Sequence, residues 1–330
     1  SLGGLLCLFW YFCIILSLIF FGQEIVIKEK PTTNMSTEVN PNPAPIQYYH
    51  DFEFVIGVQD TKRKFFIDDS IYSAYFYQMT YDKGAIYTPL KVSPCTLESF
   101  NEENRELFKQ YDIENAMCID KGQNVSISGL FGKDGSNSIN IKIYSCVNTT
   151  ISSKCKPQQE IEKYLNMTYV TIYALQNYVQ TNDYKEPFKK GIKNYFYPVS
   201  IDSFVDAPLY LKSVEMKSDV GLLLEDYETK TGYVLNSFEP INTPLKSSKF
   251  TTINIQFNDL KDSYFRNYMK LQNLFALVGG FINFIKLGLL IVFKNYLDNS
   301  YFSNINNHFF NIEERPKRTV ILENSFVTKE

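Results

Sequence analysis

Histidine is almost missing from these 330 residues, present only as His50 and His308, and tryptophan occurs once. Two distant histidines and cysteines without C-x-x-C spacing supply no ligand set for a zinc site. The phosphate-cradling G-x-x-x-x-G-K-[ST] loop, the G-x-S-x-G elbow, H-E-x-x-H and G-x-G-x-x-G are all absent. Acidic neighbours such as Asp68-Asp69 and Glu225-Asp226 are adjacent, so on a strand they point to opposite faces and read as turns or strand ends, not as an acid and base. His50 beside Asp51 reads as a surface residue. The expectation is a protein that is not an enzyme and uses no cofactor.

A basic stripe is also lacking. Residues 22–270 carry 27 Lys and Arg against 31 Asp and Glu, a net charge of −4. A mildly acidic surface of mixed sign does not suit a phosphate backbone, which excludes nucleic acid as the expected partner. The 16% aromatic content accompanies heavy use of Asn, Lys, Ile, Phe and Tyr, the mark of an AT-rich coding genome, so the number of rings is not by itself a binding surface.

Long apolar runs number two, and the want of a third excludes a multi-span transporter. Leu2 to Phe21 contains no charged residue, and Leu271 to Phe293 contains only Lys286. A helix of about 20 residues covers about 30 Å, the thickness of a bilayer hydrocarbon core. The first run is longer than a usual signal-peptide core and has no A-x-A-like cleavage site, so residues 1–22 are read as a retained transmembrane helix. Gly3 and Gly4 are tolerated in such a helix and permit close contact. Ser1 stands where an initiator Met would, so a longer gene product is expected.

Between the runs the pattern changes. Residues 23–50, with the Pro- and Asn-rich stretch PTTNMSTEVNPNPAPI, read as an extended linker. Period-two alternation follows at Phe52, Phe54, Ile56 and Val58; at Ile139, Ile141 and Ile143; around Tyr169, Thr171 and Tyr173; and at Thr251, Ile253, Ile255 and Phe257. Turn-like clusters separate these stretches, which indicates an antiparallel β-sandwich over 51–259. Leu97 to Asp112 has the spacing of a short helix. From Leu260, helical spacing of Tyr264, Phe265, Tyr268 and Leu271 predicts a juxtamembrane helix that continues as the second span to 293. Residues 294–330 read as a flexible tail with an Arg315-Pro316-Lys317-Arg318 cluster. The fold class is therefore two transmembrane helices flanking a β-rich ectodomain.

Cys7 and Cys13 lie in the first run, as packing residues or palmitoylation sites. Cys95, Cys118, Cys146 and Cys155 lie in the middle and allow three pairings, of which sequence proximity selects Cys95 with Cys118 and Cys146 with Cys155. Glycosylation sequons fall at Asn34, Asn124, Asn148 and Asn166, all between the runs and none in the tail. Disulfides and sequons together place the middle in a lumenal or extracellular compartment, with both termini cytoplasmic, in a membrane of the secretory pathway or cell surface.

Lys286 is the energetic anomaly of the second run, because a charge at a helix centre costs about 2.5–3.5 kcal/mol on insertion scales. Its side chain either snorkels to headgroups or joins Gln272, Asn273 and Asn283 in a polar seam; Asn283 and Lys286, three apart, share a face.

The order of these features resembles a family: Gly3-Gly4 in the first run, an N-P-N-P linker, FEFVIGVQD at Phe52 to Asp60, Cys95, the AMCID segment at Cys118, Cys146 after an I-x-I-x-I strand, Cys155, and LFALVGGFI in the second run. It resembles the two-span transmembrane proteins of ciliates over nearly the whole chain. The resemblance implies topology and no activity. In layout the chain is also similar to cargo receptors cycling between ER and Golgi and to trimeric ATP-gated and acid-sensing channels. Two functions are expected in turn: a glycoprotein that binds membrane or extracellular proteins, as a homo- or hetero-oligomer in the lipid bilayer, or a subunit of a ligand-gated channel.

Overall fold

The computed structural model describes residues 2–147 and 154–310. Elements follow in the order α1 (Leu2–Ile27), β1 (Thr32–Val39), β2 (Ile46–Gln47), β3 (Phe54–Gln59), β4 (Phe65–Phe66), β5 (Tyr72–Tyr81), β6 (Ala85–Leu90) and β7 (Val92–Pro94). A single 3-10 turn at Leu97–Ser99 leads to α2 (Glu102–Lys109), β8 (Met117–Ile119), β9 (Ser126–Ile127), β10 (Ser136–Ser145) and α3 (Gln158–Leu165). Then come β11 (Tyr169–Val179), β12 (Phe188–Pro198), β13 (Phe204–Asp219), β14 (Tyr227–Phe238), β15 (Ile241–Thr243), β16 (Lys249–Asn267) and α4 (Leu271–Phe310). The chain divides into a helical unit, 1–23 with 271–330, and a β unit, 24–270.

In the β unit, one sheet runs β14-β13-β16-β10-β5-β6, with β1 added on β16 and β15 on β13. The other runs β12-β11-β3-β8-β7, with β4 on β3. Alternating residues of both meet in one core: Phe54, Ile56 and Val58 from β3, Val170 and Ile172 from β11, Ile139, Ile141 and Ile143 from β10, Leu209 and Leu211 from β13, and Ile253 and Ile255 from β16. This is the sandwich that period-two alternation specifies. β3 departs from half-burial, since all six of its residues are buried. Its outer side is covered by a second cluster in which Val55 packs with Phe65, Phe100, Phe108 and the Cys95–Cys118 pair. Gly57 is needed there, because a Cβ would lie 2.7 Å from the Phe65 ring.

Four expectations change. First, the sandwich is not wholly antiparallel: β13 and β16 pair in parallel, Val205 with Thr251 through Asp219 with Asn267. β14 and β15 carry the chain back along β13, so β16 starts at the same end as β13. Second, the linker contains a strand, with Thr32 opposite Asn267 and Val39 opposite Leu260. It is almost fully exposed, so no apolar period marked it; backbone pairing, Thr37 to Asp262 at 2.7 Å and Lys261 to Glu38 at 3.4 Å hold it. Third, residues 260–267 are strand, not juxtamembrane helix, because β1 and β13 offer backbone partners on both sides. Fourth, the apolar span of α4 is Leu271–Val292, but the helix continues to Phe310 into the segment expected to be a flexible tail. The Arg315 to Arg318 cluster lies outside the described residues.

The helical unit carries two long apolar stretches. Cys7–Ile27 and Leu271–Val292 have the length and hydropathy of membrane spans, and only 6% of each apolar window is buried. Phe12, Phe20, Phe284 and Ile291 are exposed. Contact within the unit is local: the Phe21 and Phe281 rings meet edge-on at 6.1 Å.

Candidate functional site

Strands β3, β11 and β12 run side by side, with Tyr169 of β11 opposite Gln59 of β3 and Pro198 of β12. Side chains alternate across a sheet, so Tyr169, Thr171 and Tyr173 share one face, and Phe196 and Asn194 of β12 share it with them. Together with Gln59, Thr61 and Arg63 they line a groove of ≈ 270 Å³. Its floor is fixed by hydrogen bonds: the Thr171 hydroxyl donates to Gln59 Oε1 at 2.7 Å, and Gln59 Nε2 donates to the Tyr173 hydroxyl at 3.3 Å. Tyr173 is held in turn by Tyr111 at 4.8 Å and by Phe65, edge-on at 5.8 Å. Its wall is unprotected, since Phe196 is 60% and Tyr169 39% exposed.

One rim is the turn Asp60–Lys64. Asp60 Oδ1 accepts from the amides of Lys62 and Lys64, at 2.8 and 3.0 Å, and Arg63 takes a left-handed φ of 61°. The only carboxylate of the turn is thereby engaged with backbone, and among the described residues no ion pair engages Lys62, Arg63 or Lys64. β12 is an edge strand whose Lys189 and Lys193 alternate onto the face opposite Asn194 and Phe196, so the basic groups at the groove are those of the turn. Exposed rings thus stand beside a basic turn on a hydrogen-bonded floor.

A larger cleft of ≈ 480 Å³ contains His50, Asp51, Lys190, Glu215, Tyr233 and Lys261. Its charges are already satisfied. Lys261 is paired with Glu215 and Glu38, and Lys190 Nζ lies 3.1 Å from Glu103. Asp51 Oδ2 accepts from the Gln47 amide at 2.8 Å, so it secures a turn. Burial pushes the Tyr233 hydroxyl far above its ordinary range, and that hydroxyl donates to the Asp51 carbonyl.

Cys95 is bonded to Cys118 and Cys146 to Cys155. Asn34 is exposed on β1, Asn124 in the loop before β9, and Asn166 just after α3, where its Oδ1 accepts from the Ile201 amide at 3.4 Å. Asn148 lies outside the described residues. Asn283 and Lys286 are both exposed on α4, and Cys7 is exposed and Cys13 half-buried on α1. Among the described residues no three His, Cys, Asp or Glu side chains gather as a metal site. Sequence reasoning missed Arg63 and Phe196. The signals were the D-T-K-R-K turn and the outward-facing alternation of β12, neither of which names its neighbour across the sheet.

The family model described as the uncharacterised 80 kDa protein N-terminal domain matches residues 55–258, more than half of the chain, and the chain belongs to that family. No curated protein matches. Solved structures similar to this chain include a proton-activated chloride channel, at 9% identity over 88% of this chain and 98% of that one with a TM-score of 0.27. Another is Erv41p, at 11% identity over 70% of this chain and 98% of that one, with a TM-score of 0.28.

Proposed function

We propose that this member of the family is a non-enzymatic integral membrane glycoprotein whose β domain, outside the cytoplasm, captures a partner protein in the groove between Phe196 and Arg63. The observation that carries the reading is the pairing of exposed Phe196 and Tyr169 with a basic turn whose single carboxylate, Asp60, is engaged with backbone amides. The matching ligand is an extended segment with an aromatic or aliphatic anchor and a carboxylate two or three residues away. Membrane residence is supported by two helices that each contain a long apolar stretch scarcely buried within the protein.

The test is photo-crosslinking from position 194 in the full-length protein at the membrane, with and without Phe196→Ala and Arg63→Glu. A discrete adduct that both substitutions abolish, with thermal stability unchanged, supports capture at the groove. An adduct pattern indifferent to both substitutions refutes it.

A second reading is favoured by Asn283 and Lys286, exposed on one face of an otherwise apolar helix. Several α4 helices lining a ligand-gated pore would give both a purpose. Conductance in a reconstituted bilayer decides this, since Lys286→Glu would reverse the ion preference of such a pore.

A further inference from the structure

The β13–β14 connection carries the sequence Val220-Gly221-Leu222-Leu223-Leu224-Glu225-Asp226, and its leucines are 53%, 53% and 81% exposed. Scattered apolar residues on a surface are ordinary, but consecutive leucines at the tip of a fixed loop are not. The loop is held by Asp219, itself buried. Asp219 Oδ1 accepts from the amides of Gly221 at 3.2 Å and Asp226 at 3.0 Å, while Val220 N donates to the Asp226 carbonyl at 2.7 Å. Gly221 permits the tight return, because a Cβ there would meet the Leu224 carbonyl oxygen at 1.8 Å. These bonds fix the base of the loop, at whose tip the leucines are exposed.

The location of the loop identifies what it meets. Asp219 stands opposite Asn267 in the parallel pair, and Asn267 stands opposite Thr32 of β1. The tip therefore projects from the end of the β unit at which the chain arrives from α1 and departs to α4. Around it are the groups that populate bilayer interfaces. Lys28, next after α1, lies 4.4 Å over the Tyr184 ring; Lys217 lies 4.2 Å over Tyr227; Lys270, next before α4, pairs with Asp219 at 2.8 Å. Glu225 accepts from the Tyr227 hydroxyl at 3.0 Å.

We infer that the Leu222–Leu224 loop is a membrane wedge, inserted in the acyl region of the leaflet that faces the β domain and acting as a third anchor beside the two helices. The inference rests on the reading that the helices span a bilayer. It predicts that the end of the β unit is kept at a set height and tilt over the lipid, so that motion of β16 is constrained on both sides.

The test uses full-length protein in phosphatidylcholine liposomes with lipids brominated at shallow or deep acyl positions. Trp10, the only tryptophan, reports on α1 in the natural chain. In a Trp10→Phe background, Leu224→Trp and separately Leu222→Trp report on the loop, and Phe196→Trp serves as a water-exposed control. The wedge requires blue-shifted emission from both loop tryptophans and loss of most of it to shallow bromines, with the control unaffected. Quenching of Trp10 but not of either loop tryptophan overturns the wedge while leaving the spanning helices intact. Absence of quenching at Trp10 as well overturns both. Quenching of the loop in liposomes but not in detergent micelles of brominated surfactant points to lipid packing and upholds the proposal; equal quenching of the control rejects it as non-specific adsorption.

Discussion

The Lys270 ammonium lies 2.8 Å from the Asp219 carboxylate, tying the residue before α4 to the last residue of β13. Burial alone would raise the Asp219 carboxyl, but hydrogen bonds from Lys270 and from the amides of Asp226 and Gly221 outweigh it and hold the group below its ordinary 3.8. A carboxyl lowered on folding contributes stability that is present above its unfolded value and lost as pH falls through the folded one. Amides 221 and 226 are therefore expected to stay protected from exchange at neutral pH and to lose protection as pH falls below 3.8 and through the lowered folded value. Asp219→Ala should expose them at every pH, measured by hydrogen exchange.

Glu53 behaves in the opposite sense. It is buried, and desolvation raises its carboxyl despite hydrogen bonds from the Asn101 amide and Asn104 and the charges of Lys190 and Lys121. Its ionisation opposes folding, so the stability it contributes is complete below about 4.5 and declines as pH rises through the raised folded value. Asn104 Oδ1 is buried without a partner, and a flipped Asn104 amide would offer that oxygen to the nitrogen of a glutamine. Glu53→Gln is expected to raise the melting temperature at pH 7 and to change it little at pH 4, checked by calorimetry across that range.

Arg266, 2% exposed, donates from Nε to the Ser218 hydroxyl at 2.9 Å and from Nη1 to the Thr181 carbonyl at 3.4 Å and the Asp183 carbonyl. It fastens β16 and β13 to the β11–β12 turn and so joins the two sheets at the end of β16. Arg266→Met leaves those acceptors unsatisfied and should cost about 3 kcal/mol. Denaturant unfolding measures the loss, and protease cleavage is expected to appear first in residues 180–187.

Cys95 and Cys118 are 5% and 1% exposed and close a separation of 23 residues, against 9 for Cys146 and Cys155. Loop entropy and burial both make the first bond worth more; replacing Cys95 and Cys118 together by Ser should cost about 2–4 kcal/mol, and the second pair less. Paired chemical denaturation curves test the ranking.

Lys286→Leu removes an insertion cost of about 2.5–3.5 kcal/mol. If the ammonium reaches headgroups, oligomeric state in mild detergent stays unchanged or firmer, which is the outcome expected on the binding-protein reading. A looser assembly, matched non-additively by Asn283→Leu, would instead identify a polar seam between helices.

Enzymatic deglycosylation should reduce the mass of the protein through Asn34, Asn124 or Asn166, each exposed, and site-directed Asn→Gln changes assign the loss. An unchanged mass would count against placing the β unit outside the cytoplasm.

Local pattern alone was enough for the two apolar helices and for the strands around Phe54, Ile141, Ile172 and Ile253, because burial imposes a period of 3.6 or 2 on the residues that supply it. It was silent for β1, whose exposed residues need no period, and misleading for 260–267, where Tyr264, Phe265 and Tyr268 fit a helix as well as a strand. There the outcome depended on backbone partners remote in sequence: Thr32–Val39 on one side and Ser213–Asp219 on the other. The groove and the leucine loop were undecidable for the same reason. Residues 59, 63, 169 and 196 become one surface, and residues 219, 267 and 32 one end of the domain, only when strand register brings together segments that no short-range rule connects.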